Sequence, residues 1–155
     1  MTANVPPCDF TLIKHNELGK AFGNVYLLSI GGSQQTVNPG VAIRFNNFGK
    51  LAGISWLSQP EITILKTATY KIDFTLNYAN QPNIEVALFV NGNAMLGSFG
   101  LSSPLLFGTS QLTGSYVLKL NKNDKLRLIN IGNTFILKSS SLDDEIIASL
   151  VVSEI

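Results

Sequence analysis

The sequence carries one cysteine, Cys8, and one histidine, His15. A single cysteine leaves no disulfide to close within the chain. A single histidine excludes a zinc site that takes two or more imidazoles from it. Charge is scarce: 14% of residues are Asp, Glu, Lys or Arg, against about 25% in an average soluble protein. Eleven basic and ten acidic residues nearly cancel, for a net charge of +1. That balance argues against bulk electrostatic capture of nucleic acid or of an anionic membrane. No run approaches the ~18 apolar residues of a membrane span. Residues 1–10 hold no basic segment followed by an apolar one, so no secretory signal peptide is expected. The chain reads as made inside a cell, leaving it only by another route such as lysis.

What is there is apolar. Hydrophobic residues make up 45% of the 155, and the mean hydropathy is +0.24. The length suits one domain, able to bury about 70% of its unfolded surface without disulfides. High hydropathy with little charge suggests that some apolar surface lies between subunits rather than against water.

Strand signals dominate. Tyr70, Ile72, Phe74, Leu76 and Tyr78 alternate with Lys71, Asp73, Thr75 and Asn77, a period of two that fits a half-buried strand and no amphipathic helix. Ile84–Val90 is a second strand, followed by the turn signal Asn91-Gly92-Asn93. Tyr116–Leu120 and Lys125–Asn130 flank Asn121-Lys122-Asn123-Asp124, which reads as a hairpin loop. Ala148–Ile155 reads as a terminal strand. Shorter candidates are Val25–Ile30, Val41–Phe45, Ile62–Leu65, Ala94–Phe99 and Phe135–Lys138. About ten short strands at this spacing fit a sandwich or barrel. Helix is confined to one possible turn at Leu142–Ile147, where Asp143, Asp144 and Glu145 suit a helix N-terminus. The one boundary falls near residue 20: residues 1–20 form a polar arm or connector and 21–155 the sandwich.

Catalytic constellations are missing. A Ser-His-Asp triad would have to use His15, which lies in the arm. Gly53-Ile54-Ser55-Trp56-Leu57 lacks the last glycine of a nucleophile elbow and reads as a turn entering a strand. No phosphate loop or dinucleotide fingerprint occurs, so no cofactor is expected. Asp143-Asp144-Glu145 offers carboxylates to calcium, but three consecutive residues cannot all face one ion, and a solvated capping cluster fits better. No metal site and no enzyme activity are expected. Cys8 reads as an ordinary thiol rather than a reactive one or an intermolecular crosslink; Asp9 beside it raises the thiol pKa and disfavours the thiolate. Val5, Pro6 and Pro7 read as extended backbone, an arm that, with Cys8 and Phe10, docks on a neighbouring subunit. Trp56 belongs to the core or to a subunit interface.

The segment Ala68-Thr69-Tyr70-Lys71-Ile72-Asp73-Phe74 resembles the small-x-Tyr-x-Ile/Phe-x-Phe strand of the TNF/complement-globular-head superfamily. Val90-Asn91-Gly92 resembles its Asn-Gly turn. Tyr116 to Leu126 is similar to its Leu-x-Leu-x-x-Gly-Asp-x-Leu segment, with Asn123 where the family has glycine. Cys8-Asp9-Phe10-Thr11-Leu12-Ile13 looks like the Cys-Glu-Phe-Thr-x-Ile opening of Bacillus exosporium basal-layer proteins. The C-terminal domain of the Bacillus collagen-like exosporium glycoprotein is a further resemblance, although no Gly-X-Y stalk occurs here. The resemblance implies an all-β, ten-stranded antiparallel jelly roll that forms a homotrimer. It also implies a structural role on the spore surface, in the exosporium or an appendage, for a protein made in the mother cell without a signal peptide.

Two-sided apolar strands agree with buried subunit contacts. Leu126 and Leu128 share one face of their strand, with Ile129 and Ile131 on the other, and Leu150 and Val152 oppose Val151. Tyr70, Ile72, Phe74, Leu126, Leu128, Ile129, Leu150, Val151 and Val152 are therefore the expected core or trimer-interface residues. The expected partners are further trimers, by filament or lattice formation, or other spore-coat proteins. The alternative is a trimeric binding module for a carbohydrate or a protein receptor, reading its ligand at Asn80-Gln81-Pro82-Asn83 or at Asn121–Asp124.

Overall fold

Alternation sets the architecture. Along Ala68–Ala79 the side chains of Tyr70, Ile72, Phe74, Leu76 and Tyr78 are buried, and the residues between them turn to the opposite face. Each such aliphatic or aromatic side chain contributes roughly 1.5–3 kcal/mol when removed from water. The computed structural model describes residues 19–58, 60–79, 82–101 and 109–155. Its strands are β1 (Phe22–Ser29), β2 (Gln35–Val37), β3 (Asn47–Phe48), β4 (Ile54–Ser58), β5 (Glu61–Ile64), β6 (Ala68–Ala79), β7 (Ile84–Val90), β8 (Asn93–Ala94), β9 (Phe99–Leu101), β10 (Thr109–Leu120), β11 (Lys125–Asn130), β12 (Phe135–Leu137) and β13 (Glu145–Glu154). No helix occurs among the described residues.

All pairings are antiparallel. A seven-stranded sheet runs β2-β12-β6-β13-β1-β3, with β10 also paired to β6. A six-stranded sheet runs β4-β5-β11-β7-β8, with β9 also paired to β7. The inward faces of the two sheets enclose one core, the arrangement of a jelly-roll sandwich. Thirteen segments appear instead of about ten because some are only two or three residues long. In particular, β8 and β9 pair with the same strand, β7, and are separated only by Met95–Ser98. The turn between β7 and β8 is of the two-residue type that needs positive φ at both positions. Asn91 has φ 51° and Gly92 83°, while Val90 pairs with Asn93.

Three local expectations are corrected. Asn121–Asp124 is not a hairpin loop, because β10 belongs to the seven-stranded sheet and β11 to the six-stranded one. The segment crosses between sheets and is held by the chain before β6. The Asn123 N–H donates to the Ile64 carbonyl (2.7 Å), the Ile64 N–H to the Asp124 carbonyl (2.8 Å) and the Lys122 N–H to Thr67 Oγ1 (2.9 Å). Asn123, at φ 76°, takes the left-handed conformation that suits glycine or asparagine. Leu142–Ile147 forms no helical turn. Glu145 instead opens β13, its carboxylate accepting from Ser139 Oγ (2.6 Å) and the Ser140 N–H (2.9 Å). Val41–Phe45 buries Ile43 and Phe45 but is not a strand; it touches β11 through one bridge, Ala42 to Ile129.

A buried polar side chain fixes the neighbouring corner. Asn130 Nδ2 donates to the carbonyls of Val37 and Asn133 (both 2.9 Å), and its Oδ1 accepts from the Gly132 N–H (2.9 Å). With both ends of the amide engaged, its burial leaves no unpaired group.

Candidate assembly surface

The residues expected at the core or interface separate by face. Tyr70, Ile72, Phe74, Leu126, Leu128, Leu150 and Val152 all lie inside one chain's core. Val151, 38% exposed, lies on the outward face of the seven-stranded sheet. Ile129, half-buried, alternates with Leu128 and so faces outward from the six-stranded sheet. The structure thus brings seven of the nine together and places Val151 and Ile129 on opposite sides of the molecule. The arm residues Val5, Pro6, Pro7, Cys8 and Phe10 lie outside the described residues, as do Asn80 and Gln81. Trp56 is half-buried with its ring 5.6 Å from that of Phe48.

The two outward faces differ in charge. On the seven-stranded sheet, the registers align rows across β1, β13, β6 and β10. Tyr26, Ser149, Thr75 and Thr113 form one row, and Asn24, Val151, Asp73 and Ser115 the next. A third row holds Phe22, Ser153, Lys71 and Val117. Across these rows the only charges are Lys71 and Asp73, which pair with each other at 3.4 Å. The rest of these three rows is neutral, from Ser and Thr to Tyr26 and Phe22, a composition that can be desolvated without stranding a charge; Lys119, opposite Thr69, lies one row beyond.

The six-stranded sheet presents an ion cluster instead. Arg127 donates from Nε (3.1 Å) and Nη2 (2.8 Å) to Glu61 Oε2, and Lys125 Nζ lies 3.3 Å from Oε1. The Arg127 hydrogen bonds lead in holding the Glu61 carboxyl below its ordinary range. The sequence reading missed this cluster, since Glu61 is remote in sequence from the two cations. The available signal was Lys125 and Arg127 alternating with Leu126 and Leu128, which puts two cations on one outward strand face.

A second ion pair sits where the described chain enters the sheet. Glu154 Oε2 accepts from the Ala21 N–H at 2.7 Å, and Lys66 Nζ donates to both Glu154 oxygens at 2.9 and 2.8 Å. The Tyr70 hydroxyl donates to the Lys66 carbonyl at 2.6 Å. The Lys66 bond first, and the Ala21 amide second, depress the Glu154 pKa. The entry to β1 is thereby tied to the end of β13. Among the described residues no group of three or more His, Cys, Asp or Glu gathers as a metal site.

No family model matches the sequence, and no curated protein matches it. Solved structures do resemble it in fold. Eiger TNF from S. frugiperda superimposes with a TM-score of 0.69 at 10% identity, covering 88% of this chain and 92% of that one. The globular domain of zebrafish complement 1qA gives 0.57 at 17% identity, covering 86% and 95%. Murine APRIL at pH 8.5 gives 0.58 at 8% identity, covering 88% and 99%. At such identities the likeness concerns the fold, and the fold is an all-β jelly roll of the TNF and complement-1q type.

Proposed function

We propose that this protein is a structural component of the bacterial spore surface, in the exosporium or a spore-borne fibre, that assembles from jelly-roll homotrimers. The outward face of the seven-stranded sheet is the subunit contact. The N-terminal arm, residues 1–20, docks on the next trimer or on an anchoring layer. The observation that carries the trimer is that neutral four-strand face, with Thr75 at its centre between Ser149 and Thr113. The sequence resemblance to exosporium proteins supports the location. An arm that docks by strand addition gains backbone hydrogen bonds, and a contact that does not close on itself propagates into a filament.

The outward cluster of titratable groups holds one carboxylate, Glu61, locked between two cations and kept ionised, the opposite of a poised acid or base.

Sedimentation and electron microscopy of the full chain, beside a variant lacking residues 1–10, test the proposal. Trimers from both, with fibres or lattices only from the full chain, are expected. A monomer from the full chain overturns the trimer, and equal assembly by the truncated chain overturns the arm.

The second reading, a trimeric binding module, gains from one observation: the Glu61, Lys125 and Arg127 cluster on the outward face of the six-stranded sheet. The loop Asn121–Asp124 offers it less. Asp124 spends its oxygens on the Asn121 N–H and on Asn91 Nδ2, both at 2.8 Å.

A further inference from the structure

The outward face of β5, β11 and β7 is hollowed into a trough of ≈ 520 Å³, within the size range of small-molecule sites. Registers assemble it from three strands. Arg127 stands opposite Phe89 on β7, and the pairing of Leu126 with Ile62 sets Arg127 beside Glu61 on β5. Ile129 follows Arg127 on the same face, and Lys125 precedes it.

The electrostatics of the trough are unbalanced. Among the lining residues two cations share one carboxylate; the Asp124 carboxylate stands behind Asn91, with one oxygen taken by Asn91 Nδ2 and the other by the Asn121 N–H. Both Glu61 oxygens are occupied, and its side chain is 18% exposed, whereas those of Lys125 and Arg127 are 56% and 48% exposed. Arg127 engages Glu61 through Nε and Nη2 only, so Nη1 remains as a donor, as do protons of Lys125. Asn91 is a fixed wall: its Nδ2 donates to Asp124 Oδ1 at 2.8 Å and its Oδ1 accepts from the Lys125 N–H at 3.0 Å. Phe89 and Ile129, both half-buried, supply an apolar floor next to the cations.

A ligand that fits carries one carboxylate and a ring with an apolar face. Because the cations stand half in solvent, the ring's other side must stay hydrated. A pyranose meets both needs, with C–H groups for Phe89 and hydroxyls for water, where a wholly apolar aromatic acid meets only the first. We propose that the trough binds a carboxylated sugar of the hexuronate class, with its carboxylate on Lys125 and Arg127 and its ring on Phe89 and Ile129. This rests on the second reading of function, as a binding module. It is compatible with the trimer, because the trough lies on the sheet opposite the proposed subunit contact.

The test is a titration of the isotope-labelled full chain with glucuronate, glucose, benzoate and inorganic phosphate, read from amide shifts. Glucuronate at millimolar concentration is expected to move the amides of residues 87–92 and 125–129, with the other probes weaker. Arg127→Gln is expected to weaken glucuronate binding about tenfold or more, the size of a lost charge-assisted hydrogen bond. Glu61→Gln is expected to tighten it, because the carboxylate that occupies Arg127 and repels the ligand is gone. A purely structural ion pair gives no such gain. If Glu61→Gln weakens binding, or if phosphate or benzoate binds as well as glucuronate, the assignment is overturned. Equal response to glucose also overturns the carboxylate assignment but leaves a sugar-binding module. No response to any probe overturns the trough as a ligand site while leaving the binding-module reading to a protein receptor.

Discussion

The Tyr116 hydroxyl completes the ladder of a strand in the opposite sheet, accepting from the Leu88 N–H at 3.2 Å and donating to the Gly97 carbonyl at 2.7 Å. Leu88 lies on β7 where β8 has ended and β9 has not begun, so its N–H has no strand neighbour on that edge. A side chain from β10 fills the gap and ties the two sheets together across the core. Tyr116→Phe keeps the ring, 5.3 Å from Phe99, but orphans a buried donor. The expected cost is about 1–3 kcal/mol, read as a lower urea midpoint at unchanged denaturant slope. An unchanged midpoint would show that water replaces the hydroxyl without loss.

Gly114 is the companion of that aromatic cluster. It pairs with Phe74 across the β10–β6 ladder, and a Cβ there would come within 2.5 Å of Phe74 Cζ and 2.7 Å of Phe99 Cδ2. The Phe74 and Phe99 rings meet edge to face at 5.5 Å over the position. Alanine is ordinarily the better strand residue. Here Gly114→Ala is expected to destabilise by about 1–3 kcal/mol through overpacking. Combining it with Phe74→Leu should recover part of the loss, because touching residues couple. Strict additivity in thermal unfolding would rule out the packing explanation.

Glu154 gives acid sensitivity to the start of β1. Lys66 and the Ala21 amide hold its native pKa below the ordinary 4.5, so the unfolded chain binds the proton more readily. Stability therefore rises with pH through that window. The contribution is complete above about 4.5 and is lost as pH falls through the native value. Glu61 and Glu145 shift in the same direction. Denaturation followed from neutral pH into the acid range should show Glu154→Gln less stable at neutrality and less steeply acid-dependent than the wild type. Parallel curves would remove Glu154 from the acid response.

Periodicity made the long elements legible. Ile84–Val90 and Lys125–Asn130 coincide with observed strands, and Tyr70–Tyr78 falls within β6, because a period of two survives wherever one face is buried. Pairing was less legible. The chain around Asn121–Asp124 looks like a hairpin because its flanks are strands, and nothing local reveals that they enter different sheets. The acidic run at Asp143–Glu145 suggested a helix N-terminus. Two of its carboxylates instead serve neighbouring turns, Asp144 accepting from the Gly31 N–H at 3.0 Å and Glu145 from the Ser140 N–H at 2.9 Å. The Lys66–Glu154 and Glu61–Arg127 pairs were illegible, since each joins residues far apart in sequence and only the sheet registers bring them together.

The registers also name the residue whose change tests the trimer most directly. Thr75 sits mid-sheet on the outward face, with Ser149 on one side and Thr113 on the other, one row from Asp73, whose charge Lys71 already pairs. A glutamate there points away from the core, so the isolated fold should tolerate it at about 1 kcal/mol, the span of strand propensity. Buried in the proposed subunit contact, the same carboxylate would stand beside Asp73 with no free cation next to it. Desolvating an unpaired charge costs several kcal/mol, enough to reverse association at micromolar concentration. Thr75→Glu is therefore expected to sediment as a folded monomer with a thermal midpoint set by the single chain, while Thr75→Ser remains trimeric. If Thr75→Glu still forms trimers, the contact lies on another face.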